Sequence, residues 1–328
     1  MPAAPAGLYR FTQGLHVASG TAAIPLLIAK LWTVFPKLFT WPPVRDIGHL
    51  VERLSLIPLV AGSFFMLTTG LVNTSSWAPW TFNFTVAHFW TSIITIGALL
   101  THIGAQLPVT RRALSRGAAA REPDGGPPGD RLTRRGMLIS VAAAAGVATL
   151  TTVGQTIRPL RELALLAPRH PDMGPQGIPV NKSALGARVV ETAMSPDYTL
   201  TLVGLEGQER TLSLAELRAL PRHEAELPIA CVEGWSASAR WRGVRVRDLA
   251  AMVGAPAGAE VVVHSLQQRG GYKSSRLNAP HVRHDDTLLA LELNGEPLHI
   301  DHGFPARLIA PNRPGVQQTK WVTRLEVA

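Results

Sequence analysis

The sequence has a single cysteine and few charged residues. Only 17% of its 328 residues are Asp, Glu, Lys or Arg, which is low for a soluble domain. One cysteine excludes an internal disulfide, so Cys231 is either a buried apolar residue or a chemically active one. The chain also lacks GxGxxG, GxxxxGK[ST] and CxxC motifs. Dinucleotide-binding, nucleotide-hydrolysing and zinc-ribbon domains therefore have no support in the sequence.

The formal net charge of +9 is concentrated around apolar segments. Residues 1–110 carry 5 basic and 2 acidic side chains, residues 111–136 carry 7 and 3, and residues 137–328 carry 20 and 18. Basic residues beside membrane segments set orientation, whereas a nucleic-acid-binding domain carries them on a folded face. The distribution predicts a protein that contacts membrane lipid and no nucleic acid.

Long uncharged runs fill much of the N-terminal half. No charged residue occurs from Leu54 to Thr110, and the turn-like NTSSWAPW divides that run in two. About 20 apolar residues cross roughly 30 Å of hydrocarbon as a helix. We therefore predict an all-α four-helix transmembrane bundle, with helices near 14–35, 53–73, 84–107 and 137–157. Residues 1–10 lack a basic cluster, so we expect no cleavable signal peptide.

Loop charge predicts the orientation of these helices. Basic residues follow the third helix and lie between the first two, and the loop between the second and third carries no charge. The rule that cytoplasmic loops are basic places the N-terminus outside. Everything after Ile157 is then on the periplasmic or extracellular side of the cytoplasmic membrane. The stretch EPDGGPPGD reads as a flexible linker inside the basic loop.

Four domain segments follow from these patterns. They are a membrane domain of three helices (1–110), a basic cytoplasmic linker (111–136), a fourth membrane helix (137–157) and an exported domain (158–328). In the last segment, strands are predicted at 198–203, 261–264, 306–309 and 321–327, and short helices at 214–219 and 246–253. This mixture predicts an α+β domain.

Four histidines lie in or beside the predicted membrane helices. His88 and His102 are 14 residues apart, which on a helix is about 40° short of full turns and a rise of about 21 Å. Both rings therefore point to a similar side near opposite ends of one helix. In the predicted topology His16 is level with His88, and His49 is level with His102. Two pairs of neutral imidazoles, with one pair in each leaflet, are suited to bind two b-type haems. The alternative is that these histidines make hydrogen bonds at the membrane interface.

Cys231 stands where an apolar stretch, LPIA, opens into a polar loop with Glu233, Gly234 and two serines. A thiol at the mouth of such a loop can present a thiolate, which is a soft metal ligand. On these residues alone, an ordinary half-buried cysteine is the alternative.

The segment CVEGWS, followed by WRGV and DL, resembles the molybdenum-ligand segment of the sulfite oxidase family of molybdopterin enzymes, and within it the methionine-sulfoxide-reductase branch. Residues 288–327 are similar to the closing segment of that family. The resemblance implies a sulfite oxidase-type α+β molybdopterin domain in which Cys231 is the catalytic metal ligand. The cofactor-binding positions that it implies are Asn181, Ala184, Leu185, Ser265, His302, Arg307, Gln318, Thr319 and Lys320.

Residues 8–110 resemble di-haem cytochrome b subunits of membrane oxidoreductases, which implies haem iron at His16, His49, His88 and His102. Together the two resemblances imply a membrane enzyme in which the quinone pool, two b haems and an exported molybdenum centre exchange electrons to reduce an S-oxide or N-oxide. Thr133 to Leu138 also resembles a twin-arginine export signal, and a positive-inside anchor is the alternative.

Two other functions stay open. No arginine directly follows Cys231, and the family's added dimerisation domain is not found after the last family strand. Both departures favour the reductase over a quinone-linked sulfite-type dehydrogenase. A haem electron-transfer or sensing protein without molybdenum is the non-enzymatic alternative. The charged cluster at 281–286 is either a divalent metal site or, as we favour, a solvated turn that caps a helix over TLLALEL.

Overall fold

The computed structural model describes residues 2–39, 41–42, 44–75, 80–116 and 133–328. The chain divides into two compact units. One combines residues 1–16 with 153–328, and the other consists of residues 17–152. Residues 1–16 are therefore grouped with the C-terminal domain, whereas the sequence pattern assigned them to the membrane segment. Most of the predicted linker, including EPDGGPPGD, lies outside the described residues.

The described residues contain four helices that are long and apolar enough to cross a membrane, as predicted. They are α1 (Leu8–Leu38), α2 (Ile47–Thr74), α3 (Phe84–Arg116) and α4 (Arg134–Val153). Asp46 begins α2, because its carboxylate accepts the backbone N–H of His49 at 2.8 Å. Large apolar side chains such as Trp32 and Leu100 point outward on these helices.

Helices α2 and α3 pack closely against each other. A Cβ atom at Gly62 would lie 2.1 Å from the hydroxyl oxygen of Thr95, so glycine permits this approach. Near the N-terminal end of α2, the amide of Gln106 donates a hydrogen bond to the carboxylate of Glu52. Glu52 is thereby paired within an otherwise apolar segment, where a lone charge is costly.

The C-terminal domain contains two five-stranded sheets. The first has the order β2-β1-β10-β5-β6, in which β1 and β10 are parallel. The second has the order β3-β4-β7-β8, with β9 also paired to β7. The strands are β1 (Thr199–Val203), β2 (Glu209–Ser213), β3 (His223–Ala230), β4 (Ser236–Arg245), β5 (Val261–Ser265), β6 (Ser274–Leu277), β7 (Leu288–Leu293), β8 (Glu296–Pro297), β9 (Arg307–Ile309) and β10 (Val322–Val327).

Five short α-helices accompany these strands in the described part of the domain, two of them before β1 and three between later strands. They are α5 (Ala184–Ala187), α6 (Val190–Met194), α7 (Leu214–Ala219), α8 (Val246–Ala251) and α9 (Ala279–Arg283). Helix α7 begins with a capping box in which Ser213 and Glu216 bond each other's backbone N–H. The predicted α+β character is confirmed, as are the predicted strands and short helices, with ends that differ by one or two residues.

One local prediction was wrong. TLLALEL is not a helix, because Leu288–Leu293 forms the central strand β7 of the second sheet. Asp285 and Asp286 therefore do not cap a helix there. Leu288 to Leu291 are all buried, since β7 packs on both faces. A strand buried on both faces has a continuous apolar run, which resembles a short buried helix in sequence.

Candidate active site

Cys231 lies in a tight turn directly after β3. Its N–H donates to the carbonyl of Trp235 at 2.9 Å, and the N–H of Gly234 donates back to the Cys231 carbonyl at 3.1 Å. Gly234 has φ +91°, which a side chain would disfavour. The sulfur accepts hydrogen bonds from the Asn181 amide at 2.7 Å and from the Glu233 N–H at 3.5 Å. The strand-to-loop setting predicted for Cys231 is thus observed.

The surroundings of Cys231 hold the thiol in its protonated form. Burial raises the pKa of Cys231 to about 12, and the negative charge of Glu233 acts in the same direction. The N–H donors and the Arg169 guanidinium oppose this shift. A cation bound at the sulfur would supply the positive charge that a thiolate needs in this buried turn.

Glu233 is a buried carboxylate beside this thiol, and it is only 4% exposed. It accepts hydrogen bonds from Arg169 Nε at 3.0 Å and from the indole N–H of Trp235 at 2.8 Å. Arg169 belongs to the segment that precedes the first strand. The pair carries no net formal charge, although the carboxylate acts more strongly on the Cys231 sulfur than the guanidinium does.

A cleft opens beside Cys231, with a volume of about 820 Å³ that includes the part open to solvent. The cleft brings together residues from separate loops and strands. Seven of the positions predicted from the family resemblance line it: Asn181, Cys231, Ser265, Arg307, Gln318, Thr319 and Lys320.

Two cations line this cleft, of which Arg307 is buried and Lys320 is half-buried. Arg307 is 3% exposed, and its NH1 group donates to the carbonyl of His302 at 3.1 Å, but its Nε has no hydrogen-bond partner among the described residues. Burial lowers the pKa of Arg307 to about 9. Lys320 donates to the carbonyls of Lys182 and Asp301, at 3.0 and 2.6 Å. Burial and then Arg307 hold the pKa of Lys320 well below its usual range.

Other predicted positions have structural partners. The Ser265 hydroxyl donates to the Lys320 carbonyl at 2.7 Å, and Thr319 shares a 2.7 Å hydrogen bond with Ser275. The amide of Gln318 bonds both backbone groups of Ala310, at 2.8 and 2.9 Å. These three side chains hold the walls of the cleft together.

Three predicted positions do not line the cleft. The N–H of Ala184 donates to Asp301 at 2.7 Å, and the side chain of Leu185 is 79% exposed. His302 is fully buried, and its Nε2 bonds the carbonyl of Pro175 at 2.6 Å. Burial is the main cause that lowers the pKa of His302 to about 4. His302 is therefore neutral near pH 7, and its carbonyl accepts the hydrogen bond from Arg307.

Sequence reasoning missed several residues of the site. Lys182, Gln267 and Tyr272 line the cleft, and Arg169 approaches Cys231 from outside it. The glycine pair before Tyr272 was a usable signal, because Gly270 has φ +96° and marks a tight loop. Arg169 had no comparable signal, since its role depends on a contact 64 residues away.

Comparison with known proteins identifies the domain that holds this cleft. Residues 187–328 match the family model of the oxidoreductase molybdopterin binding domain. This part of the chain is a sulfite oxidase-family molybdopterin domain. It comprises all of the strands described above, together with Cys231, Arg307 and Lys320.

The similar proteins match this chain over only part of their own length. Mitochondrial sulfite oxidase of Rattus norvegicus is 32% identical over 162 residues, which are 41% of this chain and 30% of the rat protein. A candidate protein-methionine-sulfoxide reductase subunit, YedZ1, of Azospira oryzae is 31% identical over 163 residues, 49% of this chain and 61% of that protein. The sulfane dehydrogenase SoxCD of Paracoccus pantotrophus aligns at a TM-score of 0.36 and 25% identity, over 40% of this chain and 38% of that chain.

The residues of the molybdopterin domain fit its cofactor. The unpartnered Nε of Arg307 and the buried ammonium group of Lys320 suit the phosphate of a pterin cofactor. The buried sulfur of Cys231 at the same cleft suits a soft metal ligand. Phosphate binding would also relieve the cost of burying the two cations.

The membrane histidines fit haem iron to different degrees. His88 Nδ1 bonds the hydroxyl of Thr69 at 3.3 Å, which is the usual arrangement of a metal-ligating histidine. His102 Nδ1 is buried and has no hydrogen-bond partner in the described ranges. His49 differs, because Arg45 N–H and Arg53 Nε contact its two ring nitrogens at 3.2 and 3.3 Å. Iron at His49 requires Arg53 to move. His16 is exposed on α1, and its pairing with His88 stays a prediction.

The charged cluster at 281–286 has a structural role. Within the described ranges, no group of three or more His, Cys, Asp or Glu side chains could hold a metal ion. His281 is buried, with Nε2 3.1 Å from the carbonyl of Pro311. Asp285 pairs with Arg247 at 2.5 Å on the surface.

Proposed function

We propose that this protein is a membrane-bound molybdopterin oxidoreductase that reduces a small S-oxide or N-oxide by oxygen-atom transfer. The observation that carries the proposal is the cleft that Cys231 lines together with two cations, Arg307 and Lys320. The metal-ligand and phosphate-binding groups that a molybdopterin needs are therefore on one surface.

Each group of residues has a distinct task in this proposal. Arg307 and Lys320 hold the cofactor phosphate, and Asn181 orients the Cys231 sulfur through its 2.7 Å hydrogen bond. The bound cofactor supplies two-electron oxygen-atom transfer chemistry. Trp235 covers the ligand turn and lines the cleft, which keeps water away from the sulfur.

The charge next to Cys231 favours an uncharged substrate. Arg169 is already neutralised by Glu233, so it offers little net attraction to a sulfite dianion. An S-oxide or N-oxide carries no net charge and needs only hydrogen-bond donors near its oxygen atom. This argument supports the reductive direction.

We further propose that electrons reach the domain from quinol through two b haems bound by His16, His49, His88 and His102. The Thr69 contact of His88 and the unpartnered Nδ1 of His102 support two of these positions. The domain after residue 157 would then act on the periplasmic or extracellular side. A quinone-linked sulfite-type dehydrogenase is the second candidate, favoured by the 32% identity to rat sulfite oxidase.

Metal content per chain of the detergent-purified protein tests the proposal. We expect about one molybdenum and about two irons. Molybdenum without iron would contradict the proposed electron pathway through haem. Iron without molybdenum would contradict the proposed molybdopterin oxidoreductase activity. Turnover of S-oxides, N-oxides and sulfite with a quinol or quinone then decides between the two candidates.

Two variants connect the metals to named residues. Cys231→Ser is expected to abolish turnover with iron retained, because only the thiolate site is changed. His102→Ala is expected to lose about half of the iron with molybdenum retained. Full turnover in the first variant, or unchanged iron in the second, would contradict the assigned ligand.

A further inference from the structure

Three neighbouring leucines are exposed shortly after the last apolar helix. Leu163, Leu165 and Leu166 have side chains that are 51%, 80% and 71% exposed, although they belong to the unit that contains the C-terminal domain. They lie in the junction segment, residues 154–173, which connects α4 to that domain. Adjacent apolar side chains on the surface of a folded unit mark a contact with another protein or with a membrane.

The opposite side of the junction segment is packed inward. Ala164, which lies between two of these leucines, is fully buried, and so is Gln155. A Cβ atom at Gly154 would lie 3.1 Å from the carbonyl oxygen of Leu160 and 3.6 Å from the Ala164 Cβ. Ala164 thus folds back onto Gly154, the first residue after α4, and the leucines around it remain on the outside.

Hydrogen bonds and an ion pair hold the junction segment in this form. Arg161 Nε donates to the carbonyl of Gln155 at 3.3 Å, and the N–H of Ala164 donates to the Arg161 carbonyl at 3.1 Å. Arg161 also pairs with Asp172, which closes the segment on itself. The leucines therefore cannot turn inward unless these contacts break.

The length of α4 places the leucines at the level of the membrane surface. Its apolar stretch, Arg135–Val153, has 19 residues and extends about 28 Å, close to the roughly 30 Å of the hydrocarbon. A spanning α4 therefore ends at the edge of the hydrocarbon, with Gly154 in the interface between lipid and water. Because consecutive Cα atoms are about 3.8 Å apart, the direct neighbours of Ala164 lie within roughly 10 Å of Gly154.

Charge and size select lipid as the partner of this surface. Two guanidinium groups of the segment are already paired, Arg161 with Asp172 and Arg169 with Glu233. The exposed carboxylate of Glu162 suits the polar headgroup layer, so the leucines insert only to the shallow depth that is typical of interfacial apolar side chains. Three leucines also cover far less than the roughly 800 Å² that each partner buries in a stable protein–protein interface.

The junction segment also reaches the metal-ligand turn. Arg169 Nε donates to Glu233 at 3.0 Å, and Glu233 follows Cys231 by two residues. Arg169 follows Ala164 by five residues, a length of chain that spans at most about 18 Å. A short stretch of chain therefore joins the leucines to the Cys231 turn.

We propose that Leu163, Leu165 and Leu166 form an interfacial anchor, which inserts into the leaflet at which α4 ends and holds the C-terminal domain at a fixed height above the bilayer. The anchor rests on the membrane-spanning role of α4 in the proposed function, but on neither molybdenum nor haem. The contact between Arg169 and Glu233 carries the fixed height to the Cys231 turn, so the anchor keeps the cleft within reach of an electron donor in the membrane.

Spin-label accessibility of the full-length protein in lipid nanodiscs tests the anchor. A nitroxide is attached at Leu165→Cys or Leu166→Cys, and its collision rates with oxygen and with a water-soluble nickel chelate are compared. Oxygen concentrates in hydrocarbon and the chelate in water, so we expect the oxygen-to-nickel ratio at both positions to exceed that at Leu205→Cys at least about 5-fold. Leu205 is the matched control, because it is a 56% exposed leucine in the turn between β1 and β2.

A label at Val147→Cys, an exposed position within α4, separates failure of the anchor from failure of the proposed function. A high ratio at 147 with ratios at 165 and 166 equal to that at 205 would overturn the anchor alone. A low ratio at 147 would overturn both the anchor and the spanning role of α4. Slow collisions with both reagents at 165 and 166 would place the leucines against protein, which would also overturn the lipid contact.

Steady-state kinetics test whether the anchor positions the active site. Leu165→Glu places a charge where the anchor meets hydrocarbon, which opposes insertion. We expect the ratio of quinol-driven turnover to turnover with a soluble reductant to fall at least about 3-fold, since burial of one leucine shifts a docking equilibrium by at least that factor. Leu205→Glu is the control and should keep the wild-type ratio. An unchanged ratio in Leu165→Glu would overturn the link between the anchor and the cleft.

Discussion

Glu233 neutralises the guanidinium of Arg169 near Cys231. In Glu233→Gln, Arg169 loses its carboxylate partner while staying close to the sulfur. An unpaired guanidinium can bind an anion with charge-assisted hydrogen bonds worth about 1.5–3 kcal/mol. We expect kcat/KM for sulfite relative to a neutral S-oxide to rise at least about 10-fold, measured with one electron carrier at constant ionic strength.

Glu292→Gln is the matched control for this prediction. Glu292 also pairs with arginines, namely Arg222 and Arg242, but on the outer part of the second sheet. The ratio of the two substrates should not change in this variant. An equal shift in both variants would mean that overall charge, and not the Glu233 position, determines the preference.

His281 makes the stability of the C-terminal domain depend on pH. Its burial, followed by the nearby charge of Arg313, lowers the pKa of His281 from 6.5 to about 4. The folded form therefore binds fewer protons than the unfolded form between these values, and stability falls as pH drops from 6.5 towards 4. The loss is on the order of 3 kcal/mol for a fully buried group.

Thermal unfolding followed by near-UV circular dichroism tests this behaviour in detergent. We expect the midpoint of wild-type protein to fall between pH 6.5 and pH 4, and the fall to be smaller in His281→Gln. His223→Gln, at a surface position 32% exposed, serves as the control and should retain the wild-type slope. If the unfolding midpoints of wild type and His281→Gln fell in parallel with pH, His281 would not be the cause of the pH dependence.

At the scale of elements, β4 and β7 meet at a position that only glycine can occupy. The register between the two strands shifts at Arg242 and Gly243. A Cβ atom at Gly243 would lie 2.0 Å from the carbonyl oxygen of Leu289 and 2.6 Å from the Ala290 Cα. Gly243→Ala is expected to lower the free energy of unfolding by about 2–3 kcal/mol, because backbone must move.

Gly258→Ala provides the comparison, since no atom lies within 4 Å of a Cβ at that glycine. Chemical denaturation of the two variants measures the difference, and Gly258→Ala should be near neutral. If the two variants had the same free energy of unfolding, β4 and β7 could move apart around an added Cβ atom without loss of stability, and the prediction would be wrong. Because β4 follows the ligand turn, Gly243→Ala should also lower molybdenum content.

The elements that could be predicted from sequence are those with a local cause. Four long apolar runs predict four helices, and Ser213 with Glu216 predicts the start of α7. The central strand β7 was misread, because its apolar run has neither strand alternation nor helical spacing. In the site, Cys231 and the two cations were found through the family resemblance. Arg169 was not, since its role depends on a contact between distant parts of the chain.

At the scale of the whole molecule, charge asymmetry is the feature that determines orientation. Lys37 lies near the end of α1, Arg45 precedes α2 and Arg53 lies in the first turns of α2, and three arginines end α3, whereas the connection from α2 to α3 has no charged residue. From residue 137 onward, basic and acidic residues are nearly equal in number, at 20 and 18. Cytoplasmic loops retain Lys and Arg, so the proposed orientation places both the start of α1 and the end of α4 outside.

Site-directed labelling in intact cells tests that orientation. Glu206 lies in the exposed turn between β1 and β2, and Arg112 lies near the end of α3. A membrane-impermeant maleimide should modify Glu206→Cys directly, but Arg112→Cys only after the inner membrane is permeabilised. The native Cys231 gives a low background, because it is 1% exposed. Labelling of Arg112→Cys in intact cells would reverse the assigned topology, and the C-terminal domain would then meet its substrate in the cytoplasm.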